Sequence, residues 1–365
     1  MFNNIMTFSN DNDVVIAVKD YFNDYLKQRG KFDGYVDNTI SFAEKENNVN
    51  KLMMSAIKDL SGINFDSKLA SAESYAQNPN FRWAAMSVRD ALIDMVLPDF
   101  VDRTIGVYTE TRSIPMGDSV RFDVEDNNLF YVAKAGRNQR TTEFQREDAG
   151  QRSIVPINHN ISVSVNWYKV VCGKESLAKF LMKAVMSIEA AMTKEAAQAL
   201  VAAMGEVASS GAANLKVAGY GSESDDSKII KLVDTVSAYN NSPAIFMGTK
   251  AACHKLLPKN ASTRIAIDSD YVKVGYLNTI FDTDVMVMQQ YADYGSNDYK
   301  LALPDDKIYV ISPAGQKPVK LVLEGATYTR AMDSNDTADL TSNTTLNRSW
   351  GVGVITNNVA GVISL

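Results

Sequence analysis

The sequence is poor in the residues that build disulfide frameworks, metal centres and catalytic dyads. Its 365 residues include two cysteines, Cys172 and Cys253, and two histidines, His159 and His254. The cysteines form no Cys-x-x-Cys pair, which excludes a disulfide scaffold or a cysteine zinc site and favours a reducing compartment. Cys253 and His254 are adjacent, so on a helix their side chains would point about 100° apart and could not form a nucleophile–base pair. We therefore expect no catalytic residue, no metal, no cofactor and no enzymatic activity.

The sequence also lacks an excess of basic residues and long apolar runs. Its net charge is −6, from 37 Lys and Arg against 43 Asp and Glu. This balance argues against a dedicated nucleic-acid-binding protein. No apolar run reaches the roughly 18 residues that a membrane helix needs, and the N-terminus does not have the pattern of a signal peptide. We therefore expect a soluble globular protein with no membrane partner.

What the sequence does contain is an unusually long helical pattern between residues 174 and 208. Apolar residues recur there at spacings of three and four, and no proline interrupts them. Such a helix would be a rod of roughly 50 Å. Glu195 falls where the apolar stripe should continue, so we expect its carboxylate to have a partner or to lie at the edge of the stripe. The predicted stripe consists of Leu177, Phe180, Leu181, Ala184, Ile188, Ala191, Met192 and Ala199, with Glu195 as its polar interruption.

The first hundred residues are mostly helical in pattern. Short apolar stripes alternate with charged residues, which would make a poor compact core alone. Two interpretations remain open: a small helical domain, or an arm that lies along neighbouring molecules. The predicted helices cover 11–30, 44–60, 67–77 and 81–97, the last ending at Pro98.

From Gly106 onward the periodicity changes to the alternation of β-strands. Residues 107–170 predict two antiparallel arms of about 15 residues each, which would project roughly 50 Å. A compact domain of this length has a radius of gyration of only roughly 21 Å, so another molecule must cover the arms. The simplest cover is a copy of the same protein. The alternative is a β-domain whose other strands are not recognisable in the sequence.

The polar tip between the two arms is the candidate contact site. Arginine pairs bidentately with carboxylates, and repeated pairs add up where a single surface pair contributes little. The acidic second lobe or the N-terminal arm could supply the carboxylates, and a soluble loop is the alternative interpretation. Nucleic-acid binding is poorly supported because Phe144 is the only aromatic residue among the basic ones. The predicted contact residues are Lys134, Arg137, Arg140, Arg146 and Arg152.

After the long helix, the sequence predicts a hinge and then a mixed α/β lobe. The hinge is the glycine-containing stretch 209–227. Thr249 is a candidate helix N-cap. Gly351 and Gly353 lack the third glycine of a dinucleotide-binding fingerprint, so they indicate a bent strand. Residues 348–365 are predicted to be strands that pair outside the second lobe or at its root. Other predicted elements are a helix at 228–239 and strands at 244–247, 284–289, 307–311 and 318–323.

Taken in order, these segments resemble the major capsid proteins of tailed bacteriophages, whose fold is shared with encapsulin shells and the floor of the herpesvirus capsid. The resemblance covers nearly all of the chain after about residue 80. It rests on SIPMGDSVRFDV in the extension, ESLAKFLMKAVMSIEAAM in the long helix, SPAIFMGTKAACHKLL in the second lobe and RSWGVGV near the end.

The resemblance implies an α+β fold, the phage major capsid fold, in five parts. An N-terminal helical arm (1–103) precedes a long β-hairpin extension, or extension loop (104–170). The spine helix of the peripheral domain (171–210) leads into an α/β axial domain (211–325). C-terminal strands (326–365) then return to the peripheral domain.

The implied function is structural. Many copies would self-assemble through pentamers and hexamers into the icosahedral-type head shell of a tailed phage, enclosing the DNA genome without sequence-specific binding. Further implied partners are portal, scaffold and decoration proteins. The implied location is the virion, after assembly in the host cytoplasm. The alternatives are an encapsulin-type nanocompartment shell, a soluble oligomeric enzyme and another virion component.

Overall fold

The structure is a computed structural model, and the described part of the chain forms an α+β molecule. Its helices and strands build two hydrophobic cores of unequal size and a small third cluster at the base of the extension. The described residues are 13–28, 34–36, 39–63, 78–124, 129–134, 136, 144–146, 150–166, 169–170, 172–258, 274–292, 299–313, 316–331 and 341–365.

Three helices open the described chain: α1 (Asp13–Gln28), α2 (Phe42–Ser61) and α3 (Pro79–Ile105). A capping box between Ser41 and Glu44 starts α2, and Gly62 ends it in the left-handed conformation that favours glycine. The helix predicted at 67–77 lies outside the described residues.

The prediction that the third of these helices ends at Pro98 is wrong, because α3 continues to Ile105 with the proline inside it. A proline inside a helix costs about 3 kcal/mol. The turns after it bury Phe100, Val101 and Ile105, and each buried apolar side chain contributes about 1.5–3 kcal/mol. The free energy gained by burying these three side chains therefore outweighs the cost of keeping Pro98 inside the helix.

The long helix is present as α4 (Leu177–Ser210), which we call the spine helix. Ser176 caps its first turn by accepting a hydrogen bond from the backbone N–H of Lys179. Phe180 is half-buried beneath the guanidinium of Arg89. Ala191 and Ala199 are half-buried too. The other apolar residues of the predicted stripe are buried: Leu177, Leu181, Ala184, Ile188 and Met192.

The N-terminal helices share one core with the spine helix. Val15, Phe22, Ile57 and Leu92 belong to the same cluster of buried residues as Ile188. These helices are therefore neither a separate small domain nor an arm held away from the body. The predicted boundary at residue 103 falls inside α3.

A four-stranded sheet in the order β1-β10-β11-β4 packs against the spine helix and α3. Its strands are β1 (Thr109–Ile114), β4 (Ile157–Asn166), β10 (Val319–Ala331) and β11 (Thr341–Val354). β1 pairs in parallel with β10, and β11 pairs in antiparallel fashion with both β10 and β4. We call this sheet, the spine helix and the N-terminal helices the peripheral body.

This topology corrects the predicted pair of long antiparallel arms. The two arms do not pair along their length, because β10 and β11 lie between β1 and β4. Only β2 (Arg121–Val124) and β3 (Gly150–Ser153) pair with each other as a hairpin. The paired part of the extension is therefore the short β2–β3 ladder. Its flanking strands, β1 and β4, belong to the four-stranded sheet, in which β10 and β11 lie between them.

A six-stranded sheet in the order β5-β12-β9-β6-β8-β7 forms the second, axial lobe. Helices α5 (Glu223–Asn240) and α6 (Lys250–Lys255) accompany it, and Thr249 caps α6 as predicted. Ile229, Phe246, Val310 and Ile363 lie in its core. The strands are β5 (Lys216–Val217), β6 (Ile245–Thr249), β7 (Thr279–Ile280), β8 (Thr283–Met288), β9 (Lys307–Ile311) and β12 (Gly361–Ser364).

Two features of this lobe correct the predicted domain plan. The last strand, β12, lies inside the axial sheet between β5 and β9, so the C-terminal strands do not all return to the peripheral body. The predicted hinge at 209–227 is also hydrogen-bonded to the end of β12, because the N–H groups of Gly219 and Tyr220 both donate to the carbonyl of Ser364. The predicted boundary between 325 and 326 falls inside β10.

Candidate functional site

The described part of the extension tip, residues 129–134, 136 and 144–146, exposes large apolar side chains. Sequence reasoning missed them because it examined only the basic residues from 134 onward, although the run LFYV stands directly before. The exposed fractions are 78% for Leu129, 61% for Phe130, 76% for Tyr131, 87% for Val132 and 96% for Phe144.

The predicted contact residues are divided between described and undescribed parts of the chain. Lys134 and Arg146 are exposed at the tip, and Arg152 is exposed on β3. Arg137 and Arg140 lie outside the described residues. The tip thus combines basic and apolar side chains, whereas the sequence prediction was of basic ones alone.

A side chain joins the outgoing and returning segments of the tip. The Gln145 Oε1 accepts a hydrogen bond from the backbone N–H of Tyr131 at 2.6 Å, and its Nε2 donates to the Tyr131 carbonyl at 2.6 Å. The glutamine amide thus makes the donor and acceptor pair that a paired strand would make. This contact brings Phe144 and the 129–132 run into one surface.

The base of the extension is anchored through Phe122, which is buried on β2. The Arg112 guanidinium lies 4.6 Å from the centre of its ring, and the Lys320 Nζ lies 5.7 Å from it. Both cations also bind Glu110, with Lys320 Nζ at 2.5 Å from Oε2 and Arg112 Nε at 2.7 Å from Oε1. Burial alone would raise the pKa of Glu110, but the hydrogen bonds from Lys320 and Arg112 outweigh it and place the pKa below its usual value.

The returning arm of the extension crosses directly over β11 at two glycines. A Cβ on Gly351 would lie 2.9 Å from Ile154 Cγ2 and 2.9 Å from the Val155 carbonyl oxygen, and one on Gly353 would lie 3.0 Å from Ile154 Cδ1. β11 keeps a regular register with β10 through both positions. The glycines therefore serve close approach, which replaces the predicted bent strand.

Glu195 joins the spine helix to two strands. Its Oε2 accepts a hydrogen bond from Trp350 Nε1 at 2.7 Å, and its Oε1 lies 3.2 Å from His159 Nε2. The imidazole and indole rings stack with centres 3.6 Å apart and planes at 7°. The expected partner of Glu195 is thus present. His159 is half-buried in this contact.

A second carboxylate fixes the irregular part of β10, where the register with β11 shifts between Glu324 and Tyr328. The two oxygens of Asp94 on α3 accept the backbone N–H of Thr327 at 3.0 and 2.9 Å. Asp94 also accepts a hydrogen bond from Arg348, a buried residue of β11, at 2.7 Å. This contact had no local sequence signal, because its members lie up to 254 positions apart.

The residues that could carry chemistry occupy structural positions. Burial raises the pKa of the Cys253 thiol to about 11, so at neutral pH it stays protonated. The Nδ1 of His254 lies 2.7 Å from the carbonyl oxygen of Gly275. Within the described ranges, no group of His, Cys, Asp and Glu side chains could hold a metal ion. No helix in that part of the chain combines the length and apolar character needed to cross a membrane.

The long helix backed by a sheet, the exposed extension and the axial α/β lobe together define the class: this is a structural head-shell protein of a tailed phage. The family model described as "SPbeta prophage-derived putative capsid protein YonB" matches residues 26–364. The match covers almost the whole chain, and the chain belongs to this family.

Solved structures of shells are similar to the chain at low sequence identity. The mature capsid of bacteriophage PhiM1 is 10% identical with a TM-score of 0.47, covering 71% of this chain and 85% of its own. The capsid of the native GTA particle is 12% identical with a TM-score of 0.46, covering 72% and 89%. The virus-like particle from Pyrococcus furiosus is 10% identical with a TM-score of 0.39, covering 73% and 96%. No curated protein sequence matches the chain.

The family match confirms the prediction of a major capsid protein and does not favour the nanocompartment alternative. The family places the protein in the virion capsid. Membership of this family points to a structural protein.

Proposed function

We propose that the protein assembles through pentamers and hexamers, and that its extension tip docks on an adjacent copy. In this proposal the shell encloses DNA without sequence-specific contacts. It forms in the host cytoplasm, with portal, scaffold and decoration proteins as further partners.

The single observation that carries this proposal is the exposed apolar surface of the tip. Five large apolar side chains lie there with exposed fractions of 61–96%. Each is worth about 1.5–3 kcal/mol when it becomes buried. Clustered exposed apolar residues with a polar rim are typical of protein interfaces, and Lys134 and Arg146 supply such a rim. In a shell each subunit is surrounded by copies of itself, so an adjacent copy is the nearest surface that could bury these side chains.

The test separates the apolar part of the tip from its basic part. In one variant Phe130 and Phe144 become serine, and in the other Arg137, Arg140 and Arg146 become alanine. We expect both variants to fold but to assemble poorly, because in this proposal an adjacent subunit buries the two aromatic rings and pairs with the arginines. Circular dichroism checks folding, while sedimentation velocity and electron microscopy measure shell yield.

A matched control changes an exposed aromatic residue far from the tip. Tyr239 on α5 is 62% exposed, and its replacement by serine should leave shell yield unchanged. Normal shell yield from both tip variants would show that the tip makes no essential contact between subunits.

A further inference from the structure

We propose that a basic groove between α2 and the N-terminal half of the spine helix contacts the phosphate backbone of the enclosed DNA. The groove would then mark the face of the subunit that points into the shell. This inference rests on the proposed function, because it requires a shell that holds DNA.

The groove has a volume of about 840 Å³, and four lysines line it: Lys51, Lys174, Lys179 and Lys183. Its two carboxylates are both paired: Glu46 with Lys179 at 3.2 Å, and Glu175 with Lys169 at 3.4 Å. Lys51, Lys174 and Lys183 are exposed and have no ion pair within the described ranges. The groove is thus locally basic in a protein whose net charge is −6.

Charge is segregated around the spine helix. Lys179 and Lys183 are exposed on the side that borders the groove. The helix's acidic residues in its central part are directed to internal partners instead. Glu189 accepts a hydrogen bond from Thr104 Oγ1 at 2.9 Å, and Glu195 binds Trp350. Lys179 is paired with Glu46, whereas Lys183, four residues further along the helix, has no ion pair within the described ranges. Like charges four residues apart slightly destabilise a helix, and an anion bound in the groove would relieve that repulsion.

The residue types favour DNA over a second copy as that partner. Protein interfaces are enriched in arginine and depleted in lysine. The described residues that line the groove include lysine and no arginine, whereas the tip segment carries arginines. A lysine ammonium is a compact point charge that binds phosphate without a fixed geometry. This suits contact with a polymer whose phosphates repeat regardless of sequence.

The experiment compares two triple variants of unassembled protein, each of which lowers the net charge from −6 to −9. The groove variant is Lys51→Gln, Lys174→Gln and Lys183→Gln. The control variant is Lys27→Gln, Lys231→Gln and Lys250→Gln, which changes exposed lysines away from the groove. Fluorescence anisotropy measures Kd for a labelled 20-base-pair duplex between 50 and 200 mM NaCl.

We expect the Kd of the groove variant for the duplex to depend less steeply on salt concentration than the Kd of the wild-type protein. The slope of log Kd against log salt should fall by about 2.7, because each lost phosphate contact removes about 0.9 from it. The control variant should keep the slope of the wild-type protein. Electron microscopy should show shells of normal size from both variants.

Two results would overturn the inference while leaving the shell function intact. One is an unchanged slope in a groove variant that assembles normally. The other is an unchanged slope with lost assembly, which would assign the groove to contact between copies. A wild-type protein that forms no shells would instead contradict the proposed function itself.

Discussion

At the scale of single residues, the extension keeps its path because Gly351 has no side chain. The Ile154 methyl and the Val155 carbonyl both occupy the space that a Cβ would need. The carbonyl is backbone and cannot rotate away, so the conflict must be relieved by moving the returning arm. The sequence does show two glycines separated by one residue, Gly351 and Gly353. It does not show that residues 154 and 155 pass over them, or that the glycines are needed to make room for this crossing.

We expect Gly351→Ala to lower the free energy of unfolding by about 1–3 kcal/mol, the usual cost of overpacking. Urea denaturation measures the change. Gly205→Ala is the control, since a Cβ there meets nothing within 4 Å. Alanine is favoured over glycine within a helix by about 0.5–1 kcal/mol, so the control should be stabilised. Equal effects of the two substitutions would contradict the close approach.

At the scale of elements, local periodicity predicted helices and strands well, but not which strands pair. The spine helix, predicted at 174–208, lies at Leu177–Ser210, because its apolar stripe is set by residues three and four apart. The pairing of β4 with β11 joins residues such as His159 and Arg348. No local pattern contains such a pairing, so the extension was predicted as a longer hairpin than it is. The extent of α3 beyond Pro98 likewise depends on a core that distant residues complete.

The contact between the spine helix and the β4–β11 pair provides a test at this scale. We expect Glu195→Ala to cost about 1–3 kcal/mol in the free energy of unfolding, because it leaves the buried indole N–H of Trp350 without an acceptor. Glu195→Gln keeps an acceptor oxygen and should lose less. Thermal or urea unfolding measures both changes.

The control for that prediction is Gln198→Ala, an exposed position on the same helix, where we expect a change within about 0.5 kcal/mol. If Glu195→Ala proves as mild as this control, then the hydrogen bond does not hold the helix against the strands.

At the scale of the whole molecule, the N-terminal helices are part of the fold and not an appendage. Their short apolar stripes left open a small helical domain or an arm along neighbouring molecules, and the resemblance implied an arm ending at 103. The structure places Phe81, Leu92, Leu97 and Val101 of α3 in the core that the spine helix shares. The apolar residues were recognisable from the sequence, but the surface against which they pack was not.

We therefore expect a chain of residues 104–365 to lose its cooperative unfolding transition and to aggregate, rather than to fold and merely assemble poorly. Removal of α1–α3 uncovers the buried side of the spine helix and of β10, which no other described element would cover. Calorimetry and size-exclusion chromatography of the intact and shortened chains measure the difference. A soluble fragment with a sharp thermal transition would restore the interpretation of a detachable arm.

The placement of β12 in the axial sheet affects how this subunit carries mechanical load. Within the described topology the backbone passes between the peripheral body and the axial lobe three times: from the spine helix to β5, from β9 to β10, and from β11 to β12. A single connection would act as a swivel, whereas three at separate points resist torsion. In the proposed shell, outward pressure from enclosed DNA should bend each subunit as one plate, and the strain should fall on the contacts between subunits.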